Sequence, residues 1–381
     1  MIQMFSNTLG KEELEAVKKV FDSKWLGFCN ETKMFEKEFA QKIDHPYVLS
    51  TNSCTTALNI AMRTLDIGPG DEVIIPTVNF VGCANAIISR GAKPVFVDVD
   101  TRYFNVLPSE IEKHRSSKTK AVLVLHYGGH PCNMDEIYQV ADGLYIIEDS
   151  ANSLFSTYKG KHCGTLGHAA CFSFDSMKVL VTGDGGMITL KNEELYEKAF
   201  EYRYFGFPKE STSGMTSLEG GKIERWWEFS LNRISDRNVT NDILSSIGRV
   251  QLRKLPSFIE KRKEIWRIYQ DEFKNLSFLE TPPEPLPDTE SSCYIYWLKI
   301  KDNKRDKFTR YLVDNGIYCT FRYYPLHLVE YYQAKASLPN AELISEEAIN
   351  IPLHQNLTEG DISKIVEVVK KFYQCNQHVL V

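Results

Sequence analysis

One lysine stands in unusual company. The run Phe172-Ser173-Phe174-Asp175-Ser176-Met177-Lys178 leads through Val179 to Val181 into the bend Thr182-Gly183-Asp184-Gly185-Gly186. Apolar neighbours predict partial desolvation of Lys178, which favours the neutral amine and makes it a nucleophile toward an aldehyde. Ser173 offers a hydroxyl to a phosphate oxygen, and the glycines let the backbone turn tightly beneath a cofactor. A solvated loop lysine is the ordinary alternative, but the order of elements around Lys178 argues against it.

Two further segments carry candidate chemistry. Tyr145-Ile146-Ile147-Glu148-Asp149-Ser150-Ala151-Asn152 reads as a strand ending on adjacent carboxylates. Successive strand residues point to opposite faces, so Glu148 and Asp149 cannot share one role. A carboxylate there suits a magnesium ion, a ribose hydroxyl or a protonated pyridine nitrogen; on this segment alone, an Asp that only caps the next turn fits equally well. Ser50-Thr51-Asn52-Ser53-Cys54-Thr55-Thr56-Ala57-Leu58 is a hydroxyl-rich turn opening an amphipathic helix. A helix N-terminus presents unpaired N–H groups and positive dipole, so Thr55 and Thr56 can hold a phosphate without a lysine. A plain Ser/Thr cap is the common alternative. Neither GxGxxG nor GxxxxGK[ST] occurs in the chain, which sets this turn apart from both phosphate-binding classes.

These segments need a scaffold that brings strand ends together. Short β-rich runs at Val73–Ile75, Pro94–Val97, Ala121–Leu125, Tyr145–Ile147, Ala170–Phe174 and Met187–Leu190 alternate with helical patterns at Thr56–Leu65, Phe80–Arg90 and Met134–Ala141. That alternation predicts an α/β domain with a parallel sheet covered by helices, which binds ligands beyond the C-terminal strand ends. A helical stretch from Asn241 to Asn275, interrupted near Pro256, leads to a strand at Cys293–Ile300, a helix at Asp306–Asn315, a strand near Tyr318–Arg322 and a closing helix at Glu359–Phe372. The expected division is a helical segment over residues 1–20 that docks on either lobe, a large domain over 21–260 and a small α+β domain over 261–381.

Composition narrows the class. The 381 residues are 43% hydrophobic and 25% charged with a net charge of −5, which offers no broad basic field for nucleic acid or a membrane surface. The nine cysteines are scattered without a CxxC pair, so neither a disulfide framework nor a metal site is expected, and they read as the reduced thiols of a cytoplasmic protein. No apolar run reaches membrane-spanning length, and the charged stretch Lys11–Val20 is unlike a signal peptide.

Taken in order, the segments resemble the DegT/StrS-type nucleotide-sugar aminotransferases, pyridoxal-phosphate (PLP) enzymes of fold type I. The likeness extends over nearly the whole chain: Trp25-Leu26-Gly27, Phe35-Glu36, Ser53 to Leu58, Gly70 to Ile74, Gly91 to Asp98, Glu148 to Ala151, Ser173-Phe174 with Lys178, Thr182 to Gly186, Ser246-Ile247-Gly248 with Gln251-Leu252, Tyr324 to His327, and Ile351 to His354. The resemblance implies a large domain with a mixed, mostly parallel seven-stranded sheet flanked by helices, and a homodimer with shared active sites. It implies that Lys178 forms the Schiff base and then shuttles protons, that Asp149 pairs with the protonated pyridine nitrogen, and that Phe80 stacks on the ring. Thr55, Thr56 and Ser173 would hold the phosphate, with Asn152 beside the 3′-oxygen. The implied reaction converts a nucleotide-linked keto (6-deoxy) sugar to an amino sugar with L-glutamate as donor, the cofactor passing through pyridoxamine phosphate.

Some positions depart from the family pattern. Cys54 replaces the glycine of the phosphate turn, and Asn152 is shorter than the usual Gln. Where the family's partner-subunit loop carries Asn-x-Arg, this chain reads Arg237-Asn238-Val239, so Asn238 is the candidate, Arg237 its alternative and Asn232-Arg233 a second register. His327 is a candidate contact to the substrate, against an equal reading as a hydrogen-bonded structural His. Trp226-Trp227 could line a sugar or base site, though such pairs more often anchor loops. The alternatives are a PLP sugar dehydratase of the same family, which would carry His where Lys178 stands, and a non-catalytic PLP- or sugar-binding regulator on the same scaffold.

Overall fold

The computed structural model describes residues 1–209 and 224–377. Helices α1 (Lys11–Asp22) and α2 (Asn30–Lys42) precede strand β1 (Val48–Thr51), followed by α3 (Cys54–Thr64), β2 (Glu72–Pro76), α4 (Val81–Ser89), β3 (Lys93–Val97), α5 (Pro108–His114), β4 (Thr119–Leu125) and α6 (Met134–Val140). Next come β5 (Tyr145–Asp149), the short β6 (Thr157–Tyr158) and β7 (Lys161–His162), then β8 (Ala169–Ser173), β9 (Gly186–Leu190) and α7 (Glu193–Arg203). A 32-residue helix, α8 (Asp242–Phe273), leads into β10 (Leu279–Glu280), β11 (Thr289–Glu290), β12 (Tyr296–Ile300), α9 (Arg305–Asp314), α10 (Pro339–Glu347), β13 (Ala348–Ile351) and α11 (Glu359–Gln377).

Seven strands form the main sheet in the order β1-β9-β8-β5-β4-β2-β3. Only β9 runs against its neighbours; the other strands are parallel to one another. Covering both faces with helices explains why β4 and β5 read as nearly unbroken apolar runs rather than as alternating ones. Six strands coincide with sequence expectations. The seventh, β1, has only four residues, Val-Leu-Ser-Thr, too short for a period-2 pattern to show.

A second, three-stranded antiparallel sheet (β10-β12-β13) packs with α9 and α11 around its own core, which includes Phe308, Leu312, Ile365, Val369 and Phe372. Helix α8 joins the two cores. Its Leu252, Leu255, Phe258 and Ile259 belong to the large core, and Ile265, Trp266, Tyr269 and Phe273 to the small one. The core changes between Ile259 and Ile265, beside the expected boundary at residue 260, but inside a helix rather than at a linker. The expected interruption at Pro256 does not occur: α8 is continuous through it, and flanking apolar burial offsets the missing backbone hydrogen bond. The expected strand near Tyr318–Arg322 reduces to isolated bridges, Ile2 to Ile317 and Thr320 to Asn350, because β12 and β13 already complete the sheet. Helix α1 docks on α8, where buried Glu13 accepts hydrogen bonds from Gln251 at 2.8 Å and Lys254 at 2.9 Å.

Among the described residues no helix is long and apolar enough to cross a membrane, and the eight cysteines whose side chains are described are free thiols.

Candidate active site

A cavity of about 210 Å³ opens where β1, β2, β5 and β8 end. Ser53, Cys54 and Thr55 enter it from the start of α3, Phe80 from the residue before α4, and Asp149 and Ser173 from the last positions of β5 and β8. Asn152 and Lys178 follow in the loops after those strands, while Arg322 and Tyr323 close the cavity from the C-terminal lobe. Two close approaches set its walls. A Cβ on Gly186 would stand 2.6 Å from the Ser53 carbonyl carbon, so only glycine lets β9 lie against the start of α3. A Cβ on Gly82 would meet the Thr55 hydroxyl at 3.1 Å and the Phe80 ring at 3.3 Å.

The adjacent carboxylates separate as strand geometry demands. Glu148 is fully buried on the far face, accepting from the backbone N–H groups of Gly164, Leu166 and Gly167 at 2.6–2.7 Å and from His126 Nε2 at 2.9 Å. His126 Nδ1 accepts the Cys132 N–H at 3.0 Å, so its other nitrogen carries the hydrogen given to Glu148. Asp149 faces the cavity. It accepts only from the Cys83 thiol at 3.1 Å and the Ala151 N–H at 3.0 Å, leaving acceptor capacity free.

Lys178 is half-buried, and its Nζ lies 3.3 Å from the Tyr294 hydroxyl. The neutral amine expected from desolvation is corrected here. Burial does oppose the charge, but the phenols of Tyr294 and Tyr323 and the carboxylate of Asp149 outweigh it, and the ammonium is held above its ordinary range. Burial and the same Asp149 charge push the thiols of Cys54 and Cys83 well up, which keeps both protonated.

The residues present fit PLP. A buried acceptor with spare capacity suits a protonated pyridine nitrogen, and the Asn152 Oδ1, buried without a hydrogen-bond partner, marks an unmet polar demand in the same wall. The start of α3 beside Thr55 and Ser173 has the donor set for a phosphate. Phe80, 53% exposed, presents an aromatic face to the cavity.

The structure thus brings Lys178, Asp149, Thr55, Phe80, Asn152 and Ser173 together. Thr56 does not line the cavity: its N–H and hydroxyl bond to Ser53 at 3.1 and 3.0 Å, completing the helix cap. His327 is also placed elsewhere, correcting the expected substrate contact. Its ring is buried, with Nδ1 2.8 Å from the Thr77 hydroxyl and Nε2 3.3 Å from Glu342, so it pins the segment after Tyr323 to the end of β2. Asn238 spends its side-chain amide on the Tyr202 carbonyl of its own chain at 3.0 Å, whereas neighbouring Arg237 is exposed. Sequence reasoning missed Tyr294, Tyr323, Arg322 and Cys83. None has a local motif, and the two tyrosines lie more than a hundred residues beyond Lys178; only Tyr323 left a trace, as a flank of Tyr324-Pro325-Leu326-His327.

Comparison with known proteins gives concordant results. The model of the DegT/DnrJ/EryC1/StrS aminotransferase family matches residues 7–370. The chain is 41% identical over 379 residues to a dTDP-4-dehydro-2,3,6-trideoxy-D-glucose 4-aminotransferase of Saccharopolyspora spinosa, covering 97% of this chain and 96% of the relative. The crystal structure of the aminotransferase TlmJ from Streptoalloteichus hindustanus superposes with a TM-score of 0.92 at 41% identity, covering 99% of this chain and 100% of that one. The pyridoxamine-phosphate (PMP) form of a putative sugar aminotransferase from Streptococcus pneumoniae, Spr1654, superposes at 0.91 with 26% identity, covering 98% and 99%.

Proposed function

The chain belongs to the DegT/DnrJ/EryC1/StrS aminotransferase family, and we propose that it moves an amino group from L-glutamate to the 4-keto carbon of a nucleotide-linked 6-deoxy sugar, using PLP held at Lys178. The observation that carries this reading is the convergence of Lys178, Asp149 and the start of α3 on one cavity. When bound, PLP supplies an aldehyde for covalent attachment and an electron-withdrawing ring that makes the donor's Cα–H acidic.

The protein's part follows from its own side chains. Asp149 holds the ring nitrogen in its protonated form, which keeps the ring electron-withdrawing. Thr55, Ser173 and the N–H groups opening α3 would bind the phosphate, and Phe80 would cover the ring. Lys178 Nζ would hold the proton that leaves the donor's Cα and, in the second half of the reaction, would supply one to the sugar carbon that gains the amine. The choice of a 4-keto sugar draws on the Saccharopolyspora relative's activity, and that of glutamate on Arg322, the cation beside Lys178 in the cavity wall.

Arg237, with Asn238 behind it, is assigned to the neighbouring subunit's phosphate in a two-fold dimer. What supports this is the segment leading to it, which exposes Trp227, Phe229, Leu231 and Ile234, the last at 83%. Mixing inactive Lys178→Ala with an inactive Arg237→Ala/Asn238→Ala chain restores activity if sites are shared, and restores none if each chain uses its own loop.

The decisive experiment incubates PLP-loaded protein with L-glutamate and a dTDP-linked 4-keto-6-deoxy sugar, following 2-oxoglutarate and the amino sugar by mass spectrometry. Both products form with the intact chain and neither with Lys178→Ala. PLP binding without amine transfer to dTDP-, GDP- or UDP-linked keto sugars overturns the reading.

A further inference from the structure

Tyr294 is fully buried and is held from every side. Its N–H donates to the Gly128 carbonyl at 3.0 Å, and its own carbonyl accepts from Arg262 Nη1 at 3.0 Å. The Phe5 ring stacks on it at 5.8 Å with planes 25° apart. Arg262, itself 1% exposed, reaches with the same nitrogen to the Leu353 carbonyl at 3.0 Å and with Nε to Gln355 at 2.9 Å. The residue is therefore fixed between the large core and the start of the C-terminal part of the chain. Lys178, by contrast, is a four-carbon stem on a loop. Its Nζ meets that phenol twice, 3.3 Å from the hydroxyl and 4.7 Å from the ring centroid.

We infer that Tyr294 is a positioning residue: its hydroxyl accepts a hydrogen bond from Lys178 whenever the lysine is detached from the cofactor, and so keeps Nζ within reach of the substrate carbon for both proton transfers. The inference rests on the proposed aminotransferase reading. Neutral or protonated, Nζ has N–H groups to donate, and a fixed acceptor excludes most of the rotamers that a free stem would sample. Besides Tyr294, the titratable and charged groups facing Lys178 are Asp149 from β5, Cys54 from α3, Tyr323 and Arg322 from the C-terminal lobe, and Asp175 and Asp184 of its own loop.

The test uses Tyr294→Phe, which keeps the ring and its stacking on Phe5 but loses the hydroxyl. In the PLP-loaded protein, the glutamate half-reaction, followed by the visible absorbance of the bound cofactor, slows about tenfold in kcat with KM for glutamate and PLP affinity unchanged. In the cofactor-free protein, reductive methylation with formaldehyde and cyanoborohydride at a fixed pH of about 9, mapped to Lys178, runs severalfold faster in Tyr294→Phe, since an acceptor for the ammonium has gone. Phe5→Leu, which removes the stacking but not the hydroxyl, leaves that labelling rate where it was. An unchanged labelling rate in Tyr294→Phe, a wild-type half-reaction rate, or an equal acceleration of labelling in Phe5→Leu overturns the inference. The labelling arm involves neither cofactor nor substrate, so failure of the proposed aminotransfer leaves it readable.

Discussion

The two faces of β5 treat neighbouring carboxylates in opposite ways. On the packed face, Glu148 accepts from three backbone N–H groups and a histidine and is wholly excluded from water. On the open face, Asp149 has a thiol and one N–H, and the wall beside it includes an Asn oxygen with no partner. A carboxylate whose lone pairs are all met serves the fold; one with capacity to spare, at the edge of a cavity, is available to a ligand. His130 limits that lesson. Both of its ring nitrogens are buried without partners, yet it lines no part of the cavity, so unmet polarity indicates a site only where there is room for a ligand.

Substitutions can break this contrast. The largest effect belongs to the open face: Lys178→Ala abolishes transamination, and borohydride treatment of the wild-type holoenzyme fixes the cofactor on Lys178, as peptide mapping will show. A cofactor fixed to another lysine would undo the assignment. Asp149→Asn follows, with kcat lowered ~10²-fold and the fold retained. Wild-type turnover in Asp149→Asn would transfer the cofactor role elsewhere.

The packed face answers in stability. Glu148→Gln places an amide among N–H donors, costing about 3 kcal/mol in urea denaturation while kcat of the folded fraction stays near wild type. A catalytic loss without a stability loss would reverse the two faces. His130 gives an effect of similar size with a pH signature. Burial holds its ring down at about 4 against an ordinary 6.5. Between those values the unfolded chain binds a proton that the native chain refuses, so native stability falls as pH drops from about 6.5 toward 4, by up to about 3 kcal/mol. His130→Phe, which leaves no ring nitrogen to protonate, should flatten that part of the urea-midpoint profile; a profile as steep as wild type would assign the loss to other groups.

The smallest expected effect is at Tyr323. Its hydroxyl is 3.4 Å from Asn152 Nδ2, a long contact in keeping with the short Asn side chain. Tyr323→Phe should weaken PLP binding by no more than about fivefold, roughly 1 kcal/mol, by fluorescence titration. A hundredfold loss would make Tyr323 a principal cofactor ligand and extend the open face into the C-terminal lobe.

Local rules were enough for much of this molecule. The alternation of apolar strands and amphipathic helices marks six of seven sheet strands, and alternation across a strand is enough to separate Glu148 from Asp149. The hydroxyl-rich turn before α3 and the setting of Lys178 were legible because each is written in consecutive residues. Only the tertiary structure decided what depends on distant segments meeting. It showed that Pro256 is accommodated within α8, that His327 is bonded into the wall rather than the cavity, and that Tyr294, Tyr323 and Arg322 come back from the C-terminal lobe to face Lys178. It also reversed the expected charge of Lys178. Desolvation can be guessed from a lysine's sequence neighbours, but the opposing field comes from phenols and a carboxylate that only folding brings near, and the sum of the two sets the sign.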